Sequence, residues 1–320
     1  MINMHGFRLF IYSSLFLINL YSTSITGLPN LINKDEQQYL DLVADILKSG
    51  NEKQDRTGVG TISKFGAFMK FDLSNGVIPL LTTKRVFFKG IVEELLWIIS
   101  GSTDATKLSE KGIKIWNGNG TREFLDKLGF TERAEFDLGP IYGFQWRHFG
   151  AEYKGCNIDY TGQGIDQLLD CINLIKSNPH SRRIVLSSWN PLDLNQMVLP
   201  PCHVMCQFYV FDGKLSCCMY QRSADLGLGV PFNIASYSLL THLVAQCTNL
   251  SPDKFVYFIG DAHVYKNHID GLKEQISRKP RAFPRIKIDK NIKDIDQFTS
   301  KHIKLKGYNP YKAIKLEMAV

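Results

Sequence analysis

Pro200-Pro201-Cys202-His203 places a thiol where two prolines stiffen the backbone and argue against a helix. A cysteine presented at a fixed angle can act as a nucleophile if neighbouring cations lower its pKa. Taken alone, it reads better as a buried structural cysteine. Arginines that could supply such cations recur along the chain. Arg56 stands in Asp55-Arg56-Thr57-Gly58, Arg182 and Arg183 are adjacent, and Arg222 stands in Gln221-Arg222-Ser223. Guanidinium forks bind phosphate oxygens bidentately, so several converging on one dianion would hold it and also lower a nearby thiol's pKa. Singly, each arginine reads as a surface ion pair. Neighbours on a strand face opposite ways, so Arg182 and Arg183 can reach one site only from a loop or from a second subunit.

A carboxylate inside Ile91-Val92-Glu93-Glu94-Leu95-Leu96-Trp97 is costly unless it is paired or functional, although either Glu93 or Glu94 could face solvent. Asn233 follows Gly229-Val230-Pro231-Phe232. Its amide donates and accepts at once, which suits the edge of a uracil ring. His263 and Tyr265 follow Gly260-Asp261-Ala262 and could hold a sugar hydroxyl, and Asp225 could accept from a pterin-like ring. Singly, each of these reads as a loop cap or a satisfied core hydrogen bond.

These residues need elements to position them. Asp35–Lys48 puts Tyr39, Leu42, Val43, Ile46 and Leu47 on one helical stripe, with Gly50 as its cap. Strands are expected over Thr61–Leu73, Arg183–Trp189 (buried), Phe255–Ile259 and Arg285–Ile288. Helices are expected over Ile91–Ile99, Ile165–Ile175, Ala235–Asn249 and Val264–Ser277. His203–Phe211 and Lys214–Tyr220 flank Asp212-Gly213, the strongest short hairpin signal in the chain. Strands and helices mix without strict alternation. That predicts an α+β fold, a single domain with a large mixed β-sheet packed by helices.

The 320 residues are 44% hydrophobic and 22% charged, an ordinary globular balance with ample length for a core. A net charge of +7 suits anionic partners, although from charge alone a solvated basic surface is the better reading. Seven cysteines lie without CxxC or zinc spacing, which reads as a reduced intracellular protein with no metal site. The N-terminus disagrees: Arg8, an apolar run over Leu9–Leu20 and small polar residues up to Gly27 have the layout of a secretory signal. An organelle leader and an upstream extension compete with that reading. Residues 1–30 are therefore set apart from a domain at 31–320, and a cytoplasmic location, with a nuclear or mitochondrial pool, leaves secretion or organelle targeting open. No membrane association is expected.

The motifs taken together resemble the thymidylate synthases, in their eukaryotic form. In order, the chain shows Asp55–Gly58, Glu94–Trp97, Tyr142–Arg147 (YGFQWR), Ser181–Ile184, Pro200–His203 and Gln207–Val210. Tyr220–Ser223, Gly227–Tyr237 (GLGVPFNIASY), Gly260–His263 and the terminal Glu317–Val320 follow. The resemblance covers about residue 36 to the end. It implies reductive methylation of dUMP to dTMP, with 5,10-methylenetetrahydrofolate as both carbon donor and reductant and without metal, NAD or flavin. That agrees with the lack of a GxGxxG fingerprint.

Carried over position by position, the resemblance makes Cys202 the nucleophile and Glu94 the organiser of water for proton transfer, helped by Tyr142 and His203. Arg56, Arg222 and Ser223 would bind the phosphate, Arg222 would also contact the nucleophile's surroundings as part of the catalytic set, and Asp225 would stand on the dUMP side as well. Arg182 and Arg183 would be donated to the neighbouring subunit's site in an obligate homodimer, with the two sheets back to back. Asn233 would read the uracil, His263 and Tyr265 would hold the sugar, and Asp225, Trp116 and Asn119 would line the folate site. Ala319 and the Val320 carboxylate would close over the ligands. No stretch reads as a dihydrofolate reductase domain.

The chain departs from the family pattern at Asn117-Gly118, where folate contacts are affected, at a longer turn over Ser74–Pro79, at Ala224 and at Tyr311-Lys312-Ala313. The rival activity on the same scaffold, deoxycytidylate hydroxymethylation, would favour Asp where this chain has Asn233. An RNA-binding role, secondary to catalysis, is the reading from another class. A Cys–His hydrolase leaves the arginines unexplained.

Overall fold

The computed structural model describes residues 33–318, so the leader read at residues 1–30 and the terminal Ala319 and Val320 lie outside the described residues. Helix α1 (Lys34–Ser49) begins where the Asn33 side chain accepts from Glu36 N, and it ends where Gly50 N donates to Ile46 O at 2.8 Å. Its buried stripe is Glu36, Tyr39, Leu40, Val43 and Ile46, while Leu42 and Leu47, expected on that stripe, are only half-buried. Strands β1 (Asn51–Lys53) and β2 (Thr61–Asp72) follow, then α2 (Phe88–Ile99) and the short helices α3 (Thr106–Ser109), α4 (Asn117–Gly120) and α5 (Arg122–Lys127). Helices α6 (Tyr142–His148) and α7 (Gln167–Ser177) lead into β3 (Val185–Ser187), β4 (His203–Phe211) and β5 (Lys214–Asp225). Helix α8 (Gly229–Cys247), β6 (Ser251–Tyr265), α9 (Ile269–Ile276), β7 (Arg285–Ile288) and β8 (Ile303–Lys306) complete the order.

The six-stranded sheet runs β1-β2-β6-β5-β4-β3; β5 and β6 are parallel, with α8 as their crossover, and the other neighbours are antiparallel. This is the mixed α+β sheet expected from the sequence. Helix α8 is buried nearly all round because it lies between the sheet and a further layer carrying α2 and α6. The β4–β5 hairpin turns at Asp212 (φ 50°) and Gly213 (φ 66°), the left-handed pair that a two-residue hairpin loop demands.

Several boundaries differ from expectation. β6 runs on to Tyr265, so His263 and Tyr265 are strand residues rather than the start of a helix, and α9 begins only at Ile269. The reason is pairing on both edges: Tyr265 lies opposite Thr61 of β2, and His263 opposite Asp225 of β5. β5 likewise runs through Arg222 and Ser223 to Asp225. Helix α8 starts at Gly229, with Pro231 in its first turn, where no N–H is needed. Arg182 and Arg183 sit in a loop, and β3 is an edge strand with Val185 exposed, not a buried strand over 183–189. Helix α7 is capped by the Asp166 side chain, which leaves Ile165 outside the helix and exposed.

Among the described residues, nothing covers one face of the sheet. Phe68, Phe258 and Tyr220 lie in one row across β2, β6 and β5, all substantially exposed, and Phe65, Tyr209 and Phe211 are exposed on β2 and β4.

Candidate active site

The parallel ends of β5 and β6 open into a cleft of about 800 Å³. Cys202, Arg56, Arg222, Ser223, Asp225, His263 and Tyr265 all line it, beside Phe124 and Lys127 of α5. Residues scattered through the sequence thus meet because β4, β5 and β6 are neighbours in one sheet.

Cys202 immediately precedes β4, and its carbonyl accepts from Arg222 N at 3.0 Å. The two prolines do more than stiffen the chain. Pro201 O accepts from Arg222 Nε at 2.9 Å and Pro200 O from Arg222 Nη2 at 2.7 Å, which holds that nitrogen 3.9 Å from Cys202 Sγ. Burial nevertheless pushes the thiol above its ordinary pKa, and Arg222 and Arg56 only oppose it. The lowered thiol pKa expected from the arginines is therefore not reached within this chain, because desolvation of the thiolate outweighs two cations.

Behind the thiol lies a train of side chains. Tyr142 Oη accepts from Cys202 N at 2.8 Å, and its ring centroid is 5.2 Å from that of His203 and 6.3 Å from that of Trp116. Trp116 Nε1 donates to Glu94 Oε1 at 2.8 Å. Burial raises the Glu94 carboxyl to about 7, and that one hydrogen bond opposes it. Burial also takes His203 down to about 4, so its ring is neutral near pH 7. Glu93, the other acid of that run, is tied to Lys111 at 2.8 Å.

Arg56 is exposed on a loop turned by its neighbour: Asp55 accepts from Thr57 N at 3.0 Å and from Gly60 N at 2.8 Å. His263 Nδ1 lies 3.2 Å from Asp261 Oδ1. Asn233, in the first turns of α8, buries an amide oxygen that makes no hydrogen bond of ordinary length among the described residues, though it lies close enough to His203 to oppose the lowering of that ring's pKa by burial. Asn119 is buried on α4. Its neighbour Asn117, one of the departures, accepts from Ser109 Oγ at 2.8 Å. Arg182 and Arg183 are exposed and do not line the cleft.

Sequence reading missed Lys84 and His268. Lys84 is buried, donates to Gly227 O, and is brought down by burial to about 8. His268 is fully buried with Nδ1 3.6 Å from Asp225 Oδ1. Asp225 accepts from Gly227 N at 2.7 Å and Leu228 N at 3.1 Å. Burial works against its charge, yet His268 and the Gly227 N–H hold it below the usual carboxylate range. Neither Lys84 nor His268 carried a motif, since burial is not visible in a sequence.

Residues 37–320 match the family model described as thymidylate synthase. The thymidylate synthase of Ascaris suum is 60% identical over 289 residues, covering 90% of this chain and 98% of that protein. That of Saccharomyces cerevisiae is 55% identical over 298 residues, with 90% and 98% covered. The bifunctional dihydrofolate reductase-thymidylate synthase of Zea mays is 60% identical over 295 residues, covering 92% of this chain. The chain spans 56% of the length of that relative.

Proposed function

The chain belongs to the thymidylate synthase family, and from that membership we propose that it converts dUMP to dTMP through a covalent Cys202 adduct, with 5,10-methylenetetrahydrofolate as co-substrate. The observation that carries the proposal is the placement of Cys202 Sγ beside Arg222 in a cleft that also holds Arg56, Ser223, His263 and Tyr265. Arg56, Arg222 and Ser223 offer cations and a hydroxyl to a phosphate. The buried Asn233 amide oxygen, free to accept a further hydrogen bond, suits the N3–H of uracil, a donor that cytosine lacks, which favours dUMP over dCMP. Attack of the thiolate on carbon 6 makes carbon 5 nucleophilic, and a later proton loss from carbon 5 needs a base. Glu94, at about 7, is poised to exchange that proton near neutral pH. The folate, when bound, supplies both the one-carbon unit and the hydride; Trp116, Asn119 and Asp225 are the residues we assign to its binding.

The uncovered aromatic row on the sheet supports a homodimer packed back to back. In such a dimer, Arg182 and Arg183 would be donated to the neighbouring cleft and add the positive charge that the thiol lacks within one chain. Seven unpaired cysteines suit a reducing compartment, and we place the protein in the cytoplasm on that ground.

The test is dihydrofolate formation by the full chain given dUMP and methylenetetrahydrofolate, with Cys202→Ala alongside. Activity in the first and none in the second supports the proposal; a folded, dimeric and inactive wild-type chain overturns it. Mixing Cys202→Ala with Arg182→Ala/Arg183→Ala tests the exchange of arginines: two inactive proteins should regain about a quarter of wild-type activity through hybrid dimers.

A secondary RNA-binding reading has one observation in its favour. Across the β7–β8 ribbon, Arg285 lies opposite Lys306 and Lys287 opposite Lys304, and Lys290 and Lys301 line the same hollow. Like charges placed opposite each other are unfavourable without an anion. Binding of single-stranded RNA that weakens steeply with salt and is lost in Lys304→Glu/Lys306→Glu would support it; binding indifferent to those changes would remove it.

A further inference from the structure

The segment after β8 returns toward the cleft and is fastened along its way. Tyr311 N donates to Thr82 O at 2.7 Å, and Arg278 Nη1 donates to Lys312 O at 2.8 Å. Ile314 and Leu316 then lie on Gly271 of α9, where an added Cβ would come within 2.9 Å of Ile314 Cγ2 and 2.7 Å of Leu316 Cδ2. The next contact is with His268, whose Nε2 is 2.6 Å from Glu317 O. A carbonyl only accepts, so Nε2 carries the hydrogen. The ring is fully buried, and its other nitrogen faces Asp225 Oδ1 at 3.6 Å, a contact that attracts when Nδ1 is protonated as well; burial opposes that form, and Asp225 favours it and raises the ring's pKa. Gly227 makes this arrangement possible, since a Cβ there would come 2.3 Å from His268 Nδ1.

We propose that His268 is a positioning residue that ties the C-terminal segment to the Asp225 wall of the cleft. One edge of the ring holds the Glu317 carbonyl and the other faces the carboxylate, so the segment through Glu317 and the acidic wall are placed by the same side chain. The tether stands on geometry alone; its consequence, tight binding of the folate, rests on the synthase reading.

The two edges separate by substitution. The Gln amide reaches where Nε2 lies and keeps a donor for Glu317 O, whereas the Asn amide reaches only where Nδ1 lies. Trypsin cleavage after the exposed Lys315 of the full chain reports the segment without requiring any activity. His268→Asn should speed that cleavage about tenfold, the factor that one ordinary hydrogen bond carries, and His268→Gln should leave it near wild type. In turnover, His268→Asn should raise the KM for methylenetetrahydrofolate more than it lowers kcat. Unchanged cleavage in His268→Asn, or equal acceleration in both variants, overturns the tether. A wild-type chain that shows the cleavage pattern but no turnover would instead sink the synthase reading and leave the tether standing. Should His268→Asn fail to fold, Gly271→Ala lifts Ile314 and Leu316 without touching the ring. Faster cleavage with a raised folate KM supports the proposal, and a freed segment with an unchanged KM overturns the link to the folate.

Discussion

Glu36 and Glu94 are both carboxylates on largely buried helices, and burial raises the pKa of each. They differ in how they are satisfied. Glu36 accepts from Thr82 N at 2.8 Å, Thr82 Oγ1 at 2.6 Å, Thr83 N at 2.7 Å and Thr83 Oγ1 at 2.8 Å. Glu94 has Trp116 Nε1. The first carboxylate locks α1 to the chain ahead of α2; the second sits beside the thiol's train of side chains with acceptor capacity to spare. A fully bonded buried acid is a structural fastening, and an under-bonded one near a cleft is positioned to exchange a proton.

Replacing each acid breaks or sharpens that contrast. Glu94→Gln should lower kcat by about 10²–10⁴-fold, the range for loss of an acid–base group, while the thermal midpoint holds or rises. A variant with undiminished kcat would erase the distinction. Glu36→Ala should do the reverse: it strands buried N–H donors and costs about 3 kcal/mol, roughly 6–12 °C in the thermal midpoint, with turnover of the folded fraction preserved. Loss of turnover without loss of stability would show that Glu36 belongs to the site.

The pH dependence of stability carries the next effect. Glu94 titrates at about 7 in the folded chain against 4.5 ordinarily. Between those values the folded state holds a proton that the unfolded state has released, so stability falls as pH rises through the window. Denaturant titrations across it should show a decline that Glu94→Gln flattens, by up to about 3 kcal/mol. Identical profiles for the two proteins would place the titration elsewhere. The smallest change is expected for Trp116→Phe, which removes the hydrogen bond that opposes burial. The Glu94 limb of the kcat–pH profile should move upward by about one unit, with kcat at its optimum reduced a few-fold.

The Cys202 neighbourhood was legible because its parts are chemically peculiar in sequence: a cysteine after two prolines, and arginines in short polar motifs. The hairpin at Asp212-Gly213 was legible because only certain residues accept left-handed backbone. The length of β6 was not, since Gly260-Asp261-Ala262 reads as a turn until strands on both edges extend the pairing. The choice between Glu93 and Glu94 was likewise closed to periodicity: both lie on α2, and Lys111 and Trp116, which tell them apart, come from later in the chain. Lys84 and His268 carried no signal, because a buried lysine or histidine looks like any other until the packing is known.

By itself the sequence determined the family, the α+β class and most of the cleft-lining residues, Cys202 among them, because those follow from residue type, local backbone preference and motif order. Only the tertiary structure decided that Glu93 pairs with Lys111 while Trp116 holds Glu94, that burial outweighs Arg222 and Arg56 at Cys202, and that His268 joins the C-terminal segment to Asp225. These depend on desolvation and on distances between side chains far apart in the chain, quantities that arise only when the sheet and its helices have assembled.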